Sequence, residues 1–199
     1  MDLKEKISYI IGRDMATNLK KQGIDIESEP FVKGMKEVLE GKPSSLSQDE
    51  VQQAMMALQQ EMAQKQNSAG SDNKQAGEAF LAENKNNEGV KTLPSGLQYQ
   101  VLKEGSGKSP SASDTVTTHY HGTLIDGTVF DSSYERGQPA TFPVNGVIAG
   151  WTEALQLMKE GSKWRLFIPS NLAYGAQGAG GDIGPHSTLI FDVELLSVK

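Results

Sequence analysis

The chain has 199 residues, enough for one large domain or two small ones, with 19 basic and 25 acidic side chains and a net charge of −6. That balance argues against sequence-independent nucleic-acid binding, which needs a basic face to displace counterions, and the absence of cysteine excludes a disulfide framework, a thiolate zinc site and a cysteine nucleophile. No run approaches the ~18 apolar residues of a membrane-spanning helix, and the opening Met1-Asp2-Leu3-Lys4-Glu5-Lys6 has no apolar export segment, as would also hold for a mature exported protein given a new Met.

Residues 1–66 read as helices. Leu3, Ile7, Ile10, Ile11, Met15 and Leu19 recur at spacings of three and four, and Gly23 is placed to stop the helix. A second helix starts near residues 28–30, with Pro30 in its first turn, carries Phe31, Met35, Val38 and Leu39, and ends at Gly41 and Pro43. The third starts at a capping box, Ser47-Gln48-Asp49-Glu50, and repeats Val51, Met55, Leu58 and Met62 in a short heptad-like seam. Three short helices with one apolar stripe each make a marginal core. A second copy of the chain would cover the stripes; packing on each other as a monomeric bundle is the alternative. The Met content suits adaptable binding or ordinary core.

Residues 67–88 turn polar, with Gly70 and Gly77 each unfavourable in a helix by up to about 1 kcal/mol. They are expected to form an exposed, partly helical connector, weakest at residues 68–73.

Residues 89–199 change to strand patterning. Leu97, Tyr99 and Val101 alternate with polar residues, and residues 115–124 are rich in Thr, Val and Tyr. Asp126-Gly127 reads as a turn and Gly105-Ser106-Gly107 as a loop. Residues 164–168 and 188–193 are two further strands. Gly150-Trp151 opens a short helix over residues 152–158, and a Gly-rich loop spans residues 173–185. The sum is an α+β chain: an N-terminal all-α domain, a helical connector, and an antiparallel β-sheet wrapped on one short helix.

No nucleophile elbow is present, and the Gly-rich loop is no phosphate loop, because no Gly-Lys-Ser/Thr follows it. His119 and His121 point the same way from one strand. They lack obvious carboxylate partners for a metal site and are expected to face solvent. An aromatic and aliphatic set remains: Tyr120, Phe130, Val147, Ile148, Trp151, Tyr174 and Phe191. Core packing is the ordinary explanation for such residues.

Four segments, Val129-Phe130-Asp131-Ser132-Ser133, Val147-Ile148-Ala149-Gly150-Trp151, Leu172-Ala173-Tyr174-Gly175 and residues 188–196, resemble the FK506-binding type of peptidyl-prolyl isomerase in order and spacing. Ile7-Ser8-Tyr9-Ile10-Ile11-Gly12, residues 22–26, residues 77–85 and Leu93-Pro94-Ser95-Gly96-Leu97-Gln98-Tyr99 resemble its macrophage infectivity potentiator (Mip) branch. The resemblance implies an FKBP-like isomerase domain and a V-shaped homodimer joined through residues 1–66. It implies unfolded or proline-containing client proteins as partners, with chaperone-like capture, and macrolides of the FK506/rapamycin type as candidate ligands. No cofactor and no metal are implied. A bacterial periplasm or cell envelope is the favoured location, with cytoplasm as the alternative.

The family's catalytic positions map onto Asp131, Tyr174 and Tyr120, and its substrate-binding positions onto Phe130, Phe142, Val147, Ile148, Trp151, Ile183 and Phe191. Trp151 resembles the pocket floor, and Asp131 is implied to orient Tyr120, with Arg136 placed to pair with it. Asp131 also reads as a turn or cap residue. Ala140, Ala179 and Gly184 depart from the small single-domain members, which leaves one wall more open and macrolide affinity unset. A binding or chaperone module with incidental catalysis, and a purely structural dimer, are the competing readings.

Overall fold

The computed structural model describes Met1–Lys199 and divides into two compact units, Met1–Lys65 and Gln66–Lys199. The first contains helix α1 (Leu3–Lys21), helix α2 (Ser28–Leu39) and the beginning of helix α3 (Gln48–Asn84). Asp2 caps α1 in a reciprocal box: its carboxylate accepts the Glu5 N–H at 2.8 Å, and Glu5 accepts the Asp2 N–H at 2.7 Å. Gly23 follows with φ 72°. The expected Ser47–Glu50 box forms: Glu50 accepts the Ser47 N–H at 2.8 Å and donates its own N–H to the Ser47 hydroxyl at 3.3 Å. No residue of α1 or α2 is buried, and Val38 and Leu39 are 80% and 84% exposed.

The expected weak connector is corrected. Helix α3 is continuous through residues 68–73, and Gly70 and Gly77 are buried. A Cβ on Gly70 would lie 3.2 Å from Pro185, and one on Gly77 would lie 2.3 Å from the Thr188 hydroxyl. The glycines are therefore points of close approach between the helix and the segment before the last strand. Packing gained there offsets the poor helix propensity of about 1 kcal/mol each. Polarity along residues 66–73 read as exposure because the helix buries its glycines and keeps polar groups outward. Phe80 meets Phe167 at 6.0 Å. The helix end is closed by a buried pair: the Asn84 amide donates to Gln98 Oε1 at 2.8 Å, and the Gln98 amide donates to the Leu81 carbonyl of the last turn at 2.8 Å.

The sheet comprises β1 (Val90–Thr92), β2 (Gln98–Lys103), β3 (Thr115–Leu124), β4 (Val129–Ser132), β5 (Ala140–Pro143), β6 (Lys163–Ile168) and β7 (Leu189–Val198). Its order is β1-β2-β6-β7-β3-β4, with β5 also on β3, and all pairings are antiparallel. The short strands β1, β4 and β5 lack an alternation long enough to read from sequence. Helix α4 (Ala149–Leu157) begins earlier than expected, so Gly150 and Trp151 lie in its first turn. Trp151, Ala154 and Leu155 share one core with Leu166, Ile168 and Val193 of the central strands.

Candidate active site

Strand β3 sets the site's geometry. Tyr120 and Gly122 are two apart and share a face. Gly122 stands opposite Asp131 on β4 and Phe191 on β7. A Cβ there would come within 2.7 Å of Phe191 and 2.8 Å of Phe130, so the bare glycine lets these two rings meet edge-to-face at 5.3 Å. Trp151, held in the first turn of α4, takes Tyr120, Phe191 and Phe142 around it at 5.3, 5.1 and 5.5 Å, all edge-on. Such contacts contribute roughly 0.5–1.5 kcal/mol each beyond burial and hold the rings in place.

These rings enclose a cavity of about 680 Å³. It is lined by Tyr120, Phe130, Asp131, Phe142, Val147, Ile148, Trp151, Tyr174, Ile183 and Phe191, so every residue singled out for the site faces one space. Gly146, Ala179, Gly180 and Asp182 also line it. Asp182 was missed because nothing in a Gly-rich loop marks which residue turns inward. Ala140 pairs with Thr118 on β3 and adds nothing to the lining, nor does Gly184. Trp151 is only 4% exposed, and its indole N–H is buried with no protein acceptor.

One wall is polar. The Tyr120 hydroxyl donates to Asp131 Oδ2 at 2.6 Å. Arg136 pairs with the other Asp131 oxygen and donates to the Tyr120 oxygen at 2.7 Å. The Arg136 and Asp131 side chains are 43% and 41% exposed, so solvent screens their attraction and the pair works mainly by orientation. Burial, then the hydrogen bond to Asp131, holds the Tyr120 phenol above its ordinary value of 10.0, with Arg136 pulling the other way. Tyr120 stays a neutral donor. Ser133 fixes its backbone by donating its N–H to the Tyr120 carbonyl at 2.9 Å and accepting the Tyr120 N–H on its hydroxyl at 2.7 Å.

His119, expected to face solvent, is half-buried. Its Nδ1 lies 2.9 Å from the Ser133 hydroxyl and its ring stacks on Tyr134 at 4.6 Å. Both contacts come from the turn after β4, which sequence periodicity does not bring to β3. No grouping of His, Asp and Glu side chains has the arrangement of a metal site.

The chain is similar to known proteins over its whole length. The family model for "FKBP-type peptidyl-prolyl cis-trans isomerase" matches residues 106–196, and that for the "domain amino terminal to FKBP-type peptidyl-prolyl isomerase" matches residues 4–101. The "Outer membrane protein MIP" of Legionella longbeachae is 48% identical over 98% of this chain and 86% of its own length. The FKBP-type 22 kDa peptidyl-prolyl cis-trans isomerase of Escherichia coli K12 is 45% identical over 98% of this chain and 96% of its own. The crystal structure of FkpA from Escherichia coli superposes with a TM-score of 0.71 at 41% identity, over 100% of this chain and 97% of that one.

Proposed function

Since the chain belongs to the FKBP-type peptidyl-prolyl cis-trans isomerase family, we propose that the cavity around Trp151 takes the proline of an unfolded client and speeds rotation of the peptide bond before it. The observation that carries this is an aromatic-lined space with the Asp131 carboxylate held on its wall by Tyr120. Rotation about a peptide bond meets a barrier of roughly 18–20 kcal/mol set by amide resonance. The twisted transition state has lost that resonance, and its carbonyl is less polar than the planar amide's. A water-poor aromatic cavity disfavours the planar amide more, which is differential stabilisation of the transition state. No bond breaks, so rotation calls for no nucleophile.

The proline ring sits over Trp151, walled by Tyr120, Phe130, Phe142, Val147, Ile183 and Phe191. The Tyr174 hydroxyl at the exposed rim and the Ile148 N–H at the start of α4 hold substrate carbonyls. Asp131 keeps Tyr120 in its donating rotamer and faces the rotating carbonyl. Macrolides of the FK506 type compete for the same space. In a refolding assay limited by proline isomerisation, the wild-type chain accelerates the slow phase, and Asp131→Ala or Tyr174→Phe loses most of that acceleration. Absence of acceleration by the wild type would contradict the proposal.

The exposed stripes of α1 and α2 support a second element of the reading: two copies join through residues 1–66, residues 67–88 lead into the isomerase domain of 89–199, and the pair captures unfolded clients. The name of the Legionella longbeachae relative supports a bacterial periplasm or envelope as the place of action. Fractionation of the native host tests that, and recovery in the cytoplasm would overturn it.

A further inference from the structure

One wall of the cavity is the loop before β7. Ala179 and Ile183 exchange backbone hydrogen bonds at 2.9 and 3.2 Å, forming a small flap that brings Ile183 against the cavity. A Gly-rich flap of this kind has little of its own to fix its angle. Its fixed points come immediately afterwards, and they lie on α3. The Asn73 amide donates to the Pro185 carbonyl at 2.9 Å and lies 3.5 Å from the Ser187 hydroxyl. That hydroxyl donates back to the Gly184 carbonyl at 2.9 Å. Gly70 admits Pro185 and His186 to the helix surface. His186 is held at φ 55°, the one non-glycine residue at positive φ, while its N–H donates to the Gly175 carbonyl at 2.8 Å. A strained residue of this kind persists where its surroundings over-determine it.

From this set we infer that Asn73 is a positioning residue for the isomerase cavity: through Pro185 and Gly184 it sets where Ile183 stands, and so sets the fit of the peptide around the proline. Part of the active-site wall is thereby carried on α3, outside the sheet and α4 that hold the rest. The inference rests on the cavity being the peptide site, and its experiment separates the two.

The intact chain is compared with Asn73→Ala, Asn73→Asp and Asn84→Ala by amide hydrogen exchange at Ala179 and Ile183 and by Kd for a Leu-Pro tetrapeptide. Asn73→Ala speeds exchange at both amides and weakens the peptide by about three- to tenfold, the value of one lost hydrogen bond. Asn73→Asp keeps the shape but turns an acceptor toward the Pro185 carbonyl, and has at least the same effect. Asn84→Ala breaks the buried pair with Gln98 that docks the other end of the same helix. It lowers Tm while leaving both readouts unchanged. Unchanged flap exchange in both Asn73 variants, faster exchange with unaltered peptide Kd, or an equal effect from Asn84→Ala overturns the inference. A wild type that binds no peptide removes the premise about the cavity, while the exchange data still decide whether Asn73 holds the flap.

Discussion

Asp131 carries the site's polarity at the scale of single residues. It is bound to Tyr120 and Arg136 together, and losing it leaves the Tyr120 phenol without its acceptor and Arg136 with the Tyr120 oxygen alone. Asp131→Ala is expected to lower kcat/KM by about ten- to a hundredfold, the range for a hydrogen bond to a charged group. Arg136→Ala, at an exposed ion pair, should cost less than tenfold. Peptide turnover across a range of X-Pro substrates measures both. Tyr134 offers a pH test. Burial, then its hydrogen bond to Glu194, pushes its phenol up to about 12 from 10.0. The fold thus favours the protonated phenol. That contribution is fully present below the unfolded value of 10.0 and is lost as pH rises through about 12. The stability difference between wild type and Tyr134→Phe should narrow over that interval in denaturant titrations.

Among the elements, α3 makes the strongest demand on its sequence. Gly→Ala inside a helix ordinarily stabilises by about 1 kcal/mol. At Gly77 the new Cβ would stand 2.3 Å from the Thr188 hydroxyl and 3.1 Å from its Cβ. Overpacking of that kind costs about 1–3 kcal/mol and wins, so Gly77→Ala lowers Tm. Thr188→Ala removes the nearer atom and should restore part of the loss in a double-mutant cycle. The helices of residues 1–66 were legible because caps and stripes are local, as at Ser47 and Glu50. The fate of residues 66–84 was not legible. A glycine that weakens a helix and one that admits a neighbour look alike until the partner, here Thr188, is known. The strand containing Tyr99 was legible from alternation and the one containing Tyr120 from its Thr, Val and Tyr content, whereas β1, β4 and β5, three or four residues long, are too short for either signal.

For the whole molecule, the bare apolar stripes of α1 and α2 and the aromatic cavity are separate features of separate units. Replacing Ile7 and Ile11 together by Lys is expected to shift the intact chain from dimer to monomer in sedimentation while leaving small-peptide turnover near wild type. A monomeric wild type would contradict the pairing through residues 1–66. The cavity's membership was legible only through resemblance. Tyr120, Trp151 and Phe191 are far apart in sequence, and periodicity alone assigned them to core, which is also true: Trp151 and Phe191 are buried and line the cavity at once. The most direct test of the account is exchange NMR of an X-Pro peptide with a small fraction of the protein present. The account predicts rapid cis–trans exchange with wild type and much slower exchange with Asp131→Ala. Peptide binding by the wild type without any acceleration of exchange would contradict it.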